Sequence, residues 1–189
     1  MDKLERAKKN FEEGIRFFQK KDFKQAQFYF EKTLEIAPNS SPTLENLSKS
    51  YLENRDYKKA EKILKYFISL NKEDDQIAYK LLYDVYSTLN KYDELKNLCK
   101  DAISKNKFDK KLHLKSNLFY PCFFNSEEEI KKIRKTFTND VEKMLNDKNL
   151  PTLKLSEYLI KPPNFDLNFD GIDNLELNKK LVYLYKKIY

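Results

Sequence analysis

Few residues of this chain could do bond-making chemistry. Among 189 residues there is one histidine, His113, and there are two cysteines, Cys99 and Cys122. The cysteines lack any metal or redox spacing, and Cys99 falls at a helix-packing position. Both read as reduced thiols of a cytoplasmic protein. With only 2 glycines in the chain, a glycine-rich phosphate cradle is disfavoured. No carboxylate pair stands out from the solvated faces, and His113 reads as a surface residue. The expectation is no catalytic residue, no metal ligand and no cofactor. What remains is binding chemistry, in which amides, ammonium groups and apolar side chains meet another polypeptide.

Such groups need elements to hold them, and the chain repeats itself. The first copy runs Gly14-x-x-Phe17, Lys21-Asp22-Phe23, Ala26-x-x-x-Phe30, Pro38. The second runs Leu47-Ser48-x-x-Tyr51, Arg55-Asp56-Tyr57, Ala60-x-x-x-Leu64. The third runs Leu82-Tyr83-x-x-Tyr86, Lys91-Tyr92, Leu95-x-x-x-Cys99. A period near 34 residues with this order of small, aromatic and Ala positions resembles the tetratricopeptide repeat. The resemblance implies an all-α fold, a right-handed superhelix of helix pairs that bury their apolar faces by stacking. Gly14, Ser48, Ala26 and Ala60 sit where paired helices approach most closely. Asp22 and Asp56 are N-cap candidates, and Pro42 suits a first helical turn. The spacing predicts helices over 3–20, 23–36, 41–53, 57–70, 75–89 and 92–105. Residues 1–107 thus read as three repeats. Residues 108–121 read as a closing helix, with Lys110, Lys111 and Lys115 on its wet side, and a linker that Pro121 ends. The third copy is the weakest: Tyr83 replaces the small residue, so either the helices splay there or Tyr83 packs over the edge.

By the same resemblance, the first helix of each repeat lines a concave groove that binds protein or peptide. The groove positions are Lys8, Phe11, Ile15 and Phe18 in repeat one; Asn46 and Lys49, beside Pro42 and Glu45, in repeat two; and Ile77, Lys80 and Leu81, beside Asp84, in repeat three. Chaperone-binding relatives grip a terminal carboxylate with Lys, Asn and Arg at five such positions. Here only Asn46 matches, so that activity is not expected. Asn46 reads either as a backbone-binding asparagine, as in O-GlcNAc-transferase-like superhelices, or as a solvated surface residue. Phe11, Ile15 and Phe18 read either as groove or as a face covered by the chain's other end.

The net charge of +7 is spread along the chain. Arginine, which forks onto phosphates, occurs only at positions 6, 16, 55 and 134. No nucleic-acid partner is expected. No apolar run reaches a membrane-spanning length, and no membrane partner is expected.

Beyond Pro121 the pattern changes. Ser126 and Glu129 form a capping box. Ile130, Ile133, Phe137, Val141, Met144 and Leu145 follow as the apolar stripe of a helix reaching Asn146. Phe165-Asp166-Leu167-Asn168-Phe169 alternates apolar and polar residues and predicts one short strand. A last helix starts near Asp173 or Asn174 and carries Leu177, Leu181, Leu184 and Ile188. The order Tyr120-Pro121, Asn125-Ser126-Glu127-Glu128-Glu129-Ile130, Arg134, Pro163-Asn164-Phe165 through Asp170-Gly171, then Asn178-x-x-Leu181-x-x-Leu184-Tyr185 resembles a particular junction. It is the stretch joining repeats to the catalytic domains of bacterial SPINDLY-like, O-GlcNAc-transferase-like glycosyltransferases. It departs from them at Phe169 and Phe123-Phe124. The resemblance implies that residues 122–189 are a truncated junction region. The chain then reads as the non-catalytic front of a protein O-glycosyltransferase; a stand-alone cytosolic adaptor is the alternative. A downstream catalytic domain or partner subunit is expected to dock on Leu177, Leu181, Leu184 and Ile188.

Overall fold

The computed structural model describes residues 2–107, 110–154, 167 and 170–189, with only the backbone of 110–113. The described residues are helical, with no strand among them. They fall into two compact units, Met1–Thr88 and Leu89–Tyr189. The division falls between the two helices read as the third repeat.

The first unit contains α1 (Lys3–Gln19), α2 (Phe23–Ile36), α3 (Ser41–Glu53), α4 (Tyr57–Ser69) and α5 (Gln76–Thr88), with a short 3-10 turn, Glu73–Asp75, before α5. Each helix boundary lies within a residue of its expected place. Consecutive helices pack together, α1 also touches α3, and α3 touches α5. The small residues act as expected: Ala26, Ala60 and Ser48 are fully buried, and Gly14 is buried against the Phe30 ring. Ser48 keeps its hydroxyl satisfied by donating to the Leu44 carbonyl at 2.7 Å.

The turns repeat as faithfully as the side chains. Lys21 and Arg55 take left-handed backbone angles, φ 60° and 58°. The following Asp22 N–H donates back to Phe17 O at 3.0 Å, and Asp56 N–H to Tyr51 O at 2.8 Å. This closes the helix with a six-to-one bond. The same aspartates then open the next helix. Asp22 Oδ1 accepts from Gln25 N and Asp56 Oδ1 from Lys59 N, both at 3.2 Å.

The second unit contains α6 (Tyr92–Ser104), α7 (Lys110–Asn117), α8 (Glu127–Asn146) and α9 (Leu175–Ile188). His113, Lys110 and Lys111 have side chains outside the described residues. The core joins Tyr92, Leu114, Leu118 and Tyr120 to Ile133, Phe137, Val141 and Met144 of α8 and to Leu177, Leu181, Leu184 and Ile188 of α9. Lys96 of α6 donates to Asp140 Oδ2 at 2.9 Å and to the Ser116 carbonyl at 3.1 Å, tying α6, α7 and α8 together. Asn90 clasps the chain before α8: its Nδ2 donates to Phe123 O at 2.7 Å, and its Oδ1 accepts from Cys122 N at 3.1 Å.

Three expectations need correction here. The strand is not present where it can be seen. Leu167, the one described residue of 165–169, is helical and fully buried in the core. Its alternating neighbours lie outside the described residues. At Leu167 burial in the core outweighs the local alternating pattern. The capping box is displaced by one position. Ser126 Oγ accepts from Glu129 N at 3.1 Å, but the Glu129 carboxylate reaches Asn125 N at 2.6 Å instead of returning to Ser126. Leu177, Leu181, Leu184 and Ile188 cannot receive a docking partner. They are 5%, 1%, 0% and 0% exposed, because they form the face that α9 packs on α8.

Burial pushes the Tyr51, Tyr92, Tyr120 and Tyr185 hydroxyls above the usual tyrosine range. Hydrogen bonds to Glu31 and Asp170 add to the effect at Tyr51 and Tyr120. Burial also pushes the Cys99 thiol up to about 11. The folded state therefore keeps protons that the unfolded chain releases at alkaline pH, so stability falls as pH rises. Urea midpoints are expected to hold up to about pH 8, to fall slightly above it as the unfolded Cys99 thiol ionises, and to drop more steeply above about pH 10, where unfolded tyrosines ionise. A midpoint unchanged through that range would contradict these burial assignments.

Candidate peptide-binding groove

The first helices α1, α3 and α5 lie side by side with α3 in the middle. Each presents one face built on steps of three and four residues. On α1 that face is Lys8, Phe11, Ile15 and Phe18. Phe11 leans on the buried Phe30 ring with centroids 5.8 Å apart, and Phe18 meets Phe23 edge-on at 5.5 Å. Phe11, Ile15 and Phe18 are all half-buried. Phe11 and Phe18 are seated on α2, and the exposed parts of all three face outward.

On α3 the face carries Asn46 and Lys49. Asn46 Nδ2 donates to the Pro42 carbonyl of its own helix at 2.8 Å. That bond holds the amide in place, and its Oδ1 accepts no hydrogen bond from the described residues. Lys49 is paired with Glu45 at 2.6 Å, one turn earlier. On α5 the face carries Ile77, Lys80 and Leu81, all half-buried.

The electrostatics follow from the pairing. Lys8 lies 4.0 Å from Glu12, and Lys49 is bonded to Glu45. Asp84 stands one turn after Lys80. Each of the three groove cations thus has a carboxylate one turn away on its own helix. Such exposed pairs contribute little to stability, but they leave a nearly neutral surface. A nearly neutral face with apolar patches at either end and an oriented amide in the middle suits a peptide backbone with apolar side chains. It does not concentrate positive charge for a terminal carboxylate.

The structure also gathers residues that the sequence reading left separate. In the second unit the Tyr120 hydroxyl donates to Asp170 Oδ2 at 2.8 Å, and Arg134 binds the same oxygen. Arg134 also reaches Asn174 Oδ1 at 2.6 Å and the Asp173 carbonyl at 2.7 Å. Asp170 Oδ1 accepts from Ile172 N at 2.9 Å. The Asp170 side chain is fully buried, so this is a structural clamp on the turn that starts α9. Arg134, the one arginine of residues 89–189 among many lysines, was the one signal in the sequence that pointed to it.

Among the described residues no helix is long and apolar enough to cross a membrane, and no three His, Cys, Asp or Glu side chains gather as metal ligands would. Residues 17–83, from within α1 to within α5, match the tetratricopeptide repeat family. Repeats of this family generally mediate protein–protein interaction. No curated protein matches the chain.

Proposed function

We propose that this chain is a protein-interaction module that holds a peptide across α1, α3 and α5. The reading rests on the half-exposed apolar faces of α1 and α5 flanking the oriented amide of Asn46. A bound peptide places apolar side chains against Phe11, Ile15 and Phe18 at one end and Ile77 and Leu81 at the other. One of its backbone N–H groups donates to Asn46 Oδ1. Lys8, Lys49 and Lys80 border the path and favour no free carboxylate.

The test uses a peptide selected on the full chain from a display library and titrated calorimetrically. Asn46→Ala is expected to weaken binding by about 0.5–1.5 kcal/mol, the usual net worth of one hydrogen bond. Ile15→Asp and Leu81→Asp are each expected to weaken it by at least about 1.5 kcal/mol, through lost apolar burial. Tight binding of a peptide that depends on its free C-terminal carboxylate, and fails on amidation, would overturn the reading.

Residues 122–189 are further read as the junction region of a SPINDLY-like protein O-glycosyltransferase, with the repeats presenting acceptor proteins. Support comes from three positions of the resemblance, Tyr120, Arg134 and Asp170, which share one hydrogen-bonded cluster. The purified chain is then expected to transfer no labelled sugar to protein, and transfer above blank would refute a non-catalytic role. The coding sequence around these residues separates the alternatives. A nucleotide-sugar-binding α/β region following Tyr189 favours the transferase, and its absence favours a stand-alone adaptor.

A further inference from the structure

The last helix has a second apolar face. While Leu177, Leu181, Leu184 and Ile188 face α8, the opposite side of α9 carries Leu175, Val182 and Tyr189, spaced seven residues apart. Residues at that spacing stay on one side of a helix, drifting only about 20° per heptad. Leu175 is 59% exposed and Val182 52%, and Tyr183 on the flank is 71% exposed. Lys179 and Lys186, also seven apart, lie between them on the same side. The helix is already anchored by its buried face, so this outer stripe contributes nothing to the core.

The charges say what would cover it. Of the four lysines on α9, two are turned toward α8. Lys180 pairs with Glu142 at 2.6 Å, and Lys187 donates to the Leu145 and Asp147 carbonyls at 3.0 and 2.6 Å. Lys179 and Lys186 stay beside the outer stripe. Lys179 meets Glu176 at 2.7 Å in an exposed pair, and Lys186 forms no ion pair with a described residue. A second copy of the chain laid antiparallel on this stripe and centred at Val182 would oppose Lys179 of one copy to Lys186 of the other. Like charges beside an apolar seam disfavour that pairing. A bilayer would find only a narrow stripe on a helix whose other face is occupied, less than stable attachment requires. An apolar seam flanked by carboxylates satisfies both the stripe and the lysines.

We propose that the outer face of α9, formed by Leu175, Val182, Tyr183 and Tyr189 with Lys179 and Lys186, docks an amphipathic helix of another protein whose apolar seam is flanked by Glu or Asp. This face lies in the second unit, and the proposal stands independently of the groove on α1, α3 and α5.

The probe is a fluorescent synthetic four-heptad helix with leucine at its seam and glutamate flanking it, titrated against the full chain by anisotropy. A twin carries lysine in place of glutamate. The acidic helix is expected to bind, and the basic twin to bind at least about tenfold more weakly. Val182→Asp is expected to weaken the acidic helix about tenfold. The double reversal Lys179→Glu with Lys186→Glu is expected to exchange the preference between the two helices. All three positions are exposed, so unchanged thermal melting of each variant confirms that folding is intact. Failure of the acidic helix to bind, or equal binding of both helices, overturns the proposal. So does capture of the chain by phosphatidylserine vesicles in a Val182-dependent way, or a chain dimer in sedimentation that Val182→Asp dissolves.

Discussion

Arg134→Leu is expected to destabilise the second unit by about 3–5 kcal/mol, the usual cost of leaving a buried charge without its partner. The Asp170 carboxylate has a side chain that is 0% exposed, against 15% for Arg134. Its two neutral donors, the Tyr120 hydroxyl at 2.8 Å and Ile172 N at 2.9 Å, remain after the substitution, but the one cation that the described residues place on it does not. The loss extends beyond charge, because Arg134 also holds Asn174 at the start of α9 and the Asp173 carbonyl. Asn174 in turn donates from Nδ2 to the Leu167 carbonyl at 2.9 Å. Arg134→Lys keeps a charge but cannot fork to three acceptors, and is expected to lose about half as much. Adding Asp170→Asn to Arg134→Leu removes the stranded charge while keeping an acceptor for Tyr120. The double variant is therefore expected to be more stable than Arg134→Leu alone, with a coupling of about 1–3 kcal/mol. Native-state hydrogen exchange at α8 and α9 amides measures these differences within the unit that contains the clamp. A loss below about 1 kcal/mol for Arg134→Leu would mean that water already screens the carboxylate.

What the sequence could disclose depended on the range of the interaction. Helix pairs, their turns and their caps come from residues a few positions apart, and all were legible. Asp22 and Asp56 cap, Ala26 and Ala60 are buried, and the six helix boundaries lie within a residue of their expected places. The left-handed turn residues Lys21 and Arg55 were less so, since neither is Gly or Asn and only their place in the repeat marks them. The groove face was readable as a face, from steps of three and four along α1, α3 and α5. Its charge balance was not, because the Lys49–Glu45 pairing depends on rotamers. In the second unit the apolar stripes of α8 and α9 were seen, but what covers the Leu177–Ile188 stripe was not: it is α8 of the same chain, not a separate partner. Two apolar faces compete on that helix, and only packing decides between them. The Tyr120–Asp170 bond spans 50 residues, so no local pattern contains it. Leu167 shows the converse: it sits in a local alternating pattern, yet it is helical and buried in the core.

Phe30→Ala is expected to cost the first unit about 3–5 kcal/mol, as large-to-small changes at fully buried aromatics do. Phe30 is 0% exposed and is the ring against which α1 is seated. A Cβ built on Gly14 would lie 2.5, 2.6 and 3.0 Å from three carbons of that ring, closer than carbon atoms can approach. Gly14 is therefore glycine because the ring of the paired helix occupies the space of a side chain. Gly14→Ala gains about 1 kcal/mol of helix propensity but must displace the ring, at about 1–3 kcal/mol, so a net loss is expected. The two substitutions together decide whether the contact is direct. With Phe30 cut back to alanine, the Gly14→Ala methyl enters the vacated space and no longer clashes. The double variant is then expected to be more stable than Phe30→Ala alone, by roughly the propensity gain. Additive losses in urea denaturation would show that Gly14 and Phe30 do not meet. The groove shares this contact, since Phe11 packs on the same ring with centroids 5.8 Å apart. Phe30→Ala is thus expected to loosen the α1 face and weaken peptide binding even under conditions where the chain remains folded. Asn46→Ala, which loses only a hydrogen bond to the Pro42 carbonyl of its own helix, is expected to change binding far more than stability.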